Sequence, residues 1–143
     1  LDLKAQWEQE LGVRVELRGE ETKFYNEDLK QGKFMIARGR WYGDYGDPTT
    51  FLDLCRTDDG NNDRKYSSID VDRALHEAAR EPRPDVRMQM LQSVESRLFD
   101  EDVPLLPICQ LVQVYMYEPG RVKGLSDHPR LTQFLWQMEV VDE

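Results

Sequence analysis

Histidine and cysteine are scarce in this 143-residue chain, two of each, and their placement excludes the commonest metal and thiol sites. Cys55 and Cys109 fit no metal-ligand spacing, and His76 and His128 lie far from both. His76, between Leu75 and Glu77 on a predicted helix, has no second His or Cys one turn away and reads as a surface histidine, while His128 before Pro129 reads as a loop residue. Also missing are Gly-x-Ser-x-Gly, Ser-x-x-Lys and His-Glu-x-x-His, so no nucleophile stands beside its base and the chain is not read as an enzyme. Asp44 and Asp47 form a close carboxylate pair, but among 28 acids such a pair is weak support for acid/base work. No apolar run approaches the roughly 20 residues that cross a bilayer, because 103–114 is interrupted by Pro104, Pro107, Gln110 and Gln113.

Positive charge is in deficit as well: 19 Lys and Arg face 28 Asp and Glu, a net charge of −9. The basic residues are scattered among acids, which excludes a polyphosphate-binding stripe and with it nucleic acid as a partner. Three Trp, six Tyr and five Phe supply bulk for a core, and the length fits a single domain over 1–143. The opening Leu1-Asp2-Leu3-Lys4 has no initiator Met and no signal-type stretch, so the chain reads as a piece cut from a longer protein. The two cysteines are expected to stay unpaired, Cys55 closing a helix and Cys109 opening a strand, with nothing to make their Cβ atoms face each other.

Leu3, Trp7 and Leu11 recur at helical spacing, and Gly12 follows where a left-handed residue ends a helix. Val13, Val15 and Leu17 alternate with Arg14, Glu16 and Arg18, the period of a half-buried strand. Thr22 can cap a short helix carrying Phe24, Tyr25 and Leu29 that stops near Gly32, and Phe34-Met35-Ile36-Ala37 reads as a second strand. One helix between two strands favours parallel pairing. Asp47-Pro48 then starts a helix over 49–54 anchored by Phe51, Leu52 and Leu54, and 57–63 is turn chemistry. Ser68 caps a helix with Val71, Leu75, Ala78 and Ala79 on one face. After Pro82 and Pro84 the longest stripe follows, Val86, Met90, Leu91, Val94 and Leu98. Gly120 and Gly124 punctuate a connector between two further strands, 112–116 and 134–140, which complete a mixed sheet. Asp59, Asn61, Asp63 and Asp70 repeat spacings of a calcium loop, but Arg64 stands where the sharp turn needs Gly, and a structural turn is the reading.

Five segments in one order carry a further signal: 11–15, Trp41-Tyr42-Gly43-Asp44-Tyr45-Gly46-Asp47-Pro48, Asn61-Asn62 with Tyr66-Ser67-Ser68 and Asp72, 102–107, and Val122-Lys123-Gly124-Leu125. Together they resemble the C-terminal part of a family 5 extracellular solute-binding protein, the oligopeptide- and dipeptide-binding component of ABC importers. The resemblance implies an α/β fold: a mixed sheet with flanking helices, part of the C-terminal lobe of a two-lobed periplasmic-binding-protein-like fold. It further implies a short peptide as ligand, the ABC transporter membrane subunits as partners, no cofactor, and a periplasmic or extracellular location, lipid-anchored in some members.

In peptide-binding members the Trp-x-x-Asp-Tyr segment lies on the cleft, its Asp pairing with the ligand's α-ammonium. By that resemblance Asp44 is the ammonium acceptor, and Trp41 and Tyr42 are the adjoining wall. Family members also take nickel complexes, haem or oligosaccharides, so a non-peptide solute is the alternative. A third reading is an interaction module without a small ligand, since a lobe cut from its partner exposes apolar surface for self-association.

Overall fold

A computed structural model describes residues 2–112, 114–127 and 132–141. His128, Pro129 and Gln113, assigned above to loop and strand, lie outside the described residues. The chain gathers into two compact units, Leu1–Ala37 and Arg38–Glu143.

The first unit contains α1 (Asp2–Leu11) and α2 (Thr22–Lys30). Gly12 takes the left-handed conformation, φ +64°, and stops α1 as its position predicts. At the end of α2, Gly32 N–H donates to the Leu29 carbonyl and Lys33 N–H to that of Asp28, the paired closure made by a left-handed glycine at φ +67°. Thr22 is the first residue of α2 rather than its cap, and Glu21 at the cap makes no side-chain bond there.

The parallel pair expected from 13–17 and 34–37 does not form, and neither segment is a strand. The reason is visible at Val15. Its N–H donates to Glu8 Oε1 (3.0 Å) and its carbonyl accepts from Lys4 Nζ (2.5 Å), so α1 side chains take the backbone groups a ladder would need. Glu8 and Lys4 are themselves an i,i+4 pair at 3.3 Å. In the second segment Met35 is 96% exposed and Ile36 69%, which leaves its apolar residues without a sheet to face.

The second unit is built on α3 (Thr49–Leu52) with a 3₁₀ turn Asp53–Cys55, then α4 (Ile69–Ala78) and α5 (Pro84–Ser96), continued by a π-helical turn Arg97–Asp102. Ser68 Oγ accepts from Val71 N–H, the predicted cap of α4, and Pro84 opens α5, where its missing donor is harmless. Leu52, Cys55, Val71, Leu75, Ala78, Leu91, Val94 and Leu98 form one buried cluster. The stripes read from periodicity therefore meet each other, except that Ala79 and Phe51 stay exposed.

The sheet is smaller than expected. β1 (Val122–Lys123) pairs antiparallel with β2 (Glu139–Val140), Val122 opposite Val140 and Lys123 opposite Glu139. β1 falls in the expected connector, β2 is the end of the expected 134–140 strand, and Leu135–Gln137 is a 3₁₀ turn. Gly124, at φ +75°, permits this: a Cβ there would sit 1.8 Å from the Gln137 carbonyl oxygen. The described residues of 112–116 form no strand, and Val112, Val114 and Met116 are 83%, 81% and 96% exposed. An alternating pattern provides a face; without a neighbouring edge it provides no ladder. The class is α/β, with helices and one small sheet.

Candidate functional site

The predicted site segment lies at the start of the second unit and is organised by α3. Thr50, buried at 5% exposure, turns its Oγ1 toward the Asp44 N–H and accepts from it at 2.9 Å. Gly43 lies against that same turn, a Cβ at this position falling 3.3 Å from Thr50 Cγ2 and 3.5 Å from the Phe51 ring. Tyr45 Oη reaches Thr49 Oγ1 at 3.3 Å and Asp53 Oδ2 at 3.5 Å. The loop is thus held by its own short helix.

A shallow depression of about 160 Å³ opens here, lined by Trp41, Asp44, Tyr45, Thr50, Asp53, Leu54, Asp59 and Asn61. The structure brings Trp41 and Asp44 together at this depression, whereas Tyr42 is half-exposed and does not line it. Tyr42 instead lies with its ring 6.0 Å from the Arg40 guanidinium carbon. The buried Trp41 Nε1 has no hydrogen-bond partner among the described residues.

The two carboxylates of the segment differ in what they are bound to. Asp47 is saturated: Oδ1 accepts from Thr49 N–H (3.0 Å) and Thr49 Oγ1 (2.7 Å), and Arg87 of α5 donates from both arms of its fork, at 2.7 and 2.9 Å. The Arg87 guanidinium, seconded by the Thr49 donors, holds the Asp47 carboxyl well below the ordinary carboxylate range. Asp44 is exposed, and its carboxylate makes no hydrogen bond or ion pair among the described residues. The arrangement can offer a free carboxylate beside an aromatic wall. Among the described residues, no three His, Cys, Asp or Glu side chains converge as a metal site would require.

The calcium-like loop is self-satisfied. Asp59 Oδ1 accepts from Asn61 N–H at 2.8 Å. Asn62, 3% exposed, donates from Nδ2 to the Arg56 and Tyr66 carbonyls at 3.0 and 2.7 Å and accepts from Tyr66 N–H at 3.2 Å. Asp72 Oδ1 receives Thr57 N–H at 3.0 Å, and Tyr66 Oη donates to Asp102 Oδ2, which also receives Arg97 Nε at 3.2 Å. Several residues of the recognised segments are thus fasteners of one loop. Cys55 is buried, and burial pushes its thiol up from the ordinary value; Cys109 is exposed, and both are free. His76 is exposed on α4.

Arg87 is the residue that reading the sequence missed. It stands 40 positions from Asp47 and next to the apolar Val86, and the only local signal was its place on the helix carrying the longest apolar stripe.

Residues 3–63 match the family model described as bacterial extracellular solute-binding proteins, family 5, middle. The periplasmic oligopeptide-binding protein OppA of Salmonella typhimurium is 30% identical over 113 residues, 79% of this chain and 21% of that protein. The periplasmic murein peptide-binding protein MppA of Escherichia coli is 32% identical over 116 residues, 81% of this chain and 20% of that protein. Among solved structures, Haemophilus influenzae OppA in complex with RPPGFSPFR superposes with a TM-score of 0.86 at 25% identity, covering 99% of this chain and 28% of that one. The chain spans about a fifth of the length of the curated relatives it matches.

Proposed function

We propose a role in peptide capture, and its premise is that this chain belongs to the bacterial extracellular solute-binding proteins of family 5. The whole protein holds short peptides between two lobes and hands them to the membrane subunits of an ABC importer, doing no covalent chemistry on them. It works in the periplasm or outside the cell, as the relatives named periplasmic do. Among the described residues no helix is long and apolar enough to cross a membrane.

The observation that carries this reading is the exposed Asp44 carboxylate without a partner among the described residues beside Trp41, on a segment whose other acid is fully bound. An α-ammonium offers three donors to such a carboxylate, and a charge-assisted bond is strong where a closing lobe excludes water. On one open face the same pair is worth only about 0–1 kcal/mol. Trp41 forms the adjoining wall, while Tyr42, on the same segment, lies outside the depression. Main-chain bonding to an extended peptide would give affinity with little reading of side chains.

Calorimetry on the full-length protein tests this with a random tripeptide library bearing free amino termini and the same library N-acetylated. Asp44→Asn should weaken the free library by about tenfold or more and leave the acetylated one nearly unchanged. Equal losses would make Asp44 a loop support and not an amine receptor. Recovering a sugar, haem or metal complex instead of peptides from the purified protein would overturn the substrate class.

A further inference from the structure

We propose that Arg87 is a positioning residue for Asp44, setting the direction of its carboxylate through Asp47 and the first turn of α3. The inference rests on Asp44 being the ammonium acceptor. The chain of contacts is continuous within the second unit. Arg87 grips Asp47 with both arms of its fork, at 2.7 and 2.9 Å. Asp47 holds the N-terminus of α3 through Thr49 N–H and Oγ1. One residue on, Thr50 Oγ1 receives the Asp44 N–H. Gly43 closes the path by lying so near Thr50 and Phe51 that a side chain on it would meet both.

The other end of the path is rigid, because Leu91, Val94 and Leu98 fix α5 and its continuation in the core. A four-residue helix cannot orient a loop by itself, since isolated single turns are unstable in water. Leu52 and Cys55 seat the rest of α3 and its 3₁₀ turn in the core, and the forked pair fixes the first turn with a geometry that a Lys ammonium cannot reproduce. Both partners are partly covered, with side-chain exposures of 25% for Arg87 and 31% for Asp47. The depressed Asp47 carboxyl keeps the clamp ionised through mildly acidic pH. Two acids three positions apart thus divide the roles: Asp47 is committed to orientation so that Asp44 stays available.

Arg87→Met, Arg87→Lys and Asp44→Asn in the full-length protein test the proposal with two readouts. Hydrogen exchange over 41–50 in the ligand-free protein reports loop order without reference to any ligand. Affinity for the free and N-acetylated tripeptide libraries reports amine recognition. Arg87→Met should speed exchange over 41–50 while leaving α4 and the core of α5 protected. It should also weaken the free library about tenfold and the acetylated library less than about twofold, with Arg87→Lys intermediate. Unchanged exchange over 41–50 would overturn the clamp. Faster exchange with equal losses for both libraries, or with no loss while Asp44→Asn remains amine-selective, would overturn the positioning role. Equal losses for both libraries in Asp44→Asn would remove the ammonium reading and the positioning role with it, and the exchange data would still report whether Arg87 orders the loop.

Discussion

The units Leu1–Ala37 and Arg38–Glu143 are made of the same kinds of segment and reach opposite outcomes. In the first, α1 and α2 carry apolar residues at helical spacing, yet no described residue is buried: Leu11 is 66% exposed and Phe24 55%. In the second, α4 and α5 bury Val71, Leu75, Ala78, Leu91 and Val94 against one another and against α3. The difference lies in whether two stripes meet. A stripe contributes stability only when a second apolar surface covers it, at about 25 cal/mol per Å² removed from water. The first unit is therefore held by caps and side-chain ties, and the second by a core.

Truncating each unit at a comparable leucine sharpens the comparison most. Leu75→Ala should cost about 2–5 kcal/mol, and Leu11→Ala less than about 0.5 kcal/mol, by denaturant unfolding of this chain. Similar losses would mean that the first unit's stripe is covered in solution. Next in size is Asn62→Ala, which strips partners from the Arg56 and Tyr66 carbonyls in a buried turn. It should cost about 1–3 kcal/mol and loosen 56–66 in hydrogen exchange.

Acid gives a smaller contrast between two carboxylates. Asp47 is depressed chiefly by the Arg87 fork and Glu8 chiefly by the Val15 N–H. A carboxyl lowered on folding contributes stability that is present above its unfolded value, near about 4, and is lost as pH falls through its folded value. Asp47→Asn should flatten the acid side of the stability profile. Glu8→Gln should do so hardly at all and should show chiefly as faster exchange of the Val15 amide. A reversal of that order, read from unfolding midpoints from about pH 6 down to about pH 2, would make α1's tie the stronger one.

What was legible from residues alone follows a pattern. Helix ends depend on a few neighbouring residues, so Gly12, Gly32, Ser68 and Pro84 mark them where the structure has them. The family too was readable, because its segments recur in order along the chain. Of the candidate site, Trp41 and Asp44 share the depression and Tyr42 does not, since its neighbours in space depend on how the loop turns over α3. Several matched residues hold the scaffold instead of facing the depression. Asn62, Tyr66, Asp72 and Asp102 fasten the 56–67 loop and the end of α5's extension.

Periodicity, capping chemistry and motif order act through residues close in sequence, and by themselves they determined the helices, the core stripes of α4 and α5, and the segment bearing Asp44. Strands and side-chain roles were decided only in three dimensions. Val13, Val15 and Leu17 alternate as a strand should, yet a strand is a relation between two backbones, and Glu8 and Lys4 claimed the groups at Val15 first. Asp44 and Asp47 are the same side chain three positions apart; a guanidinium arriving from 40 residues away binds one and leaves the other without a partner among the described residues.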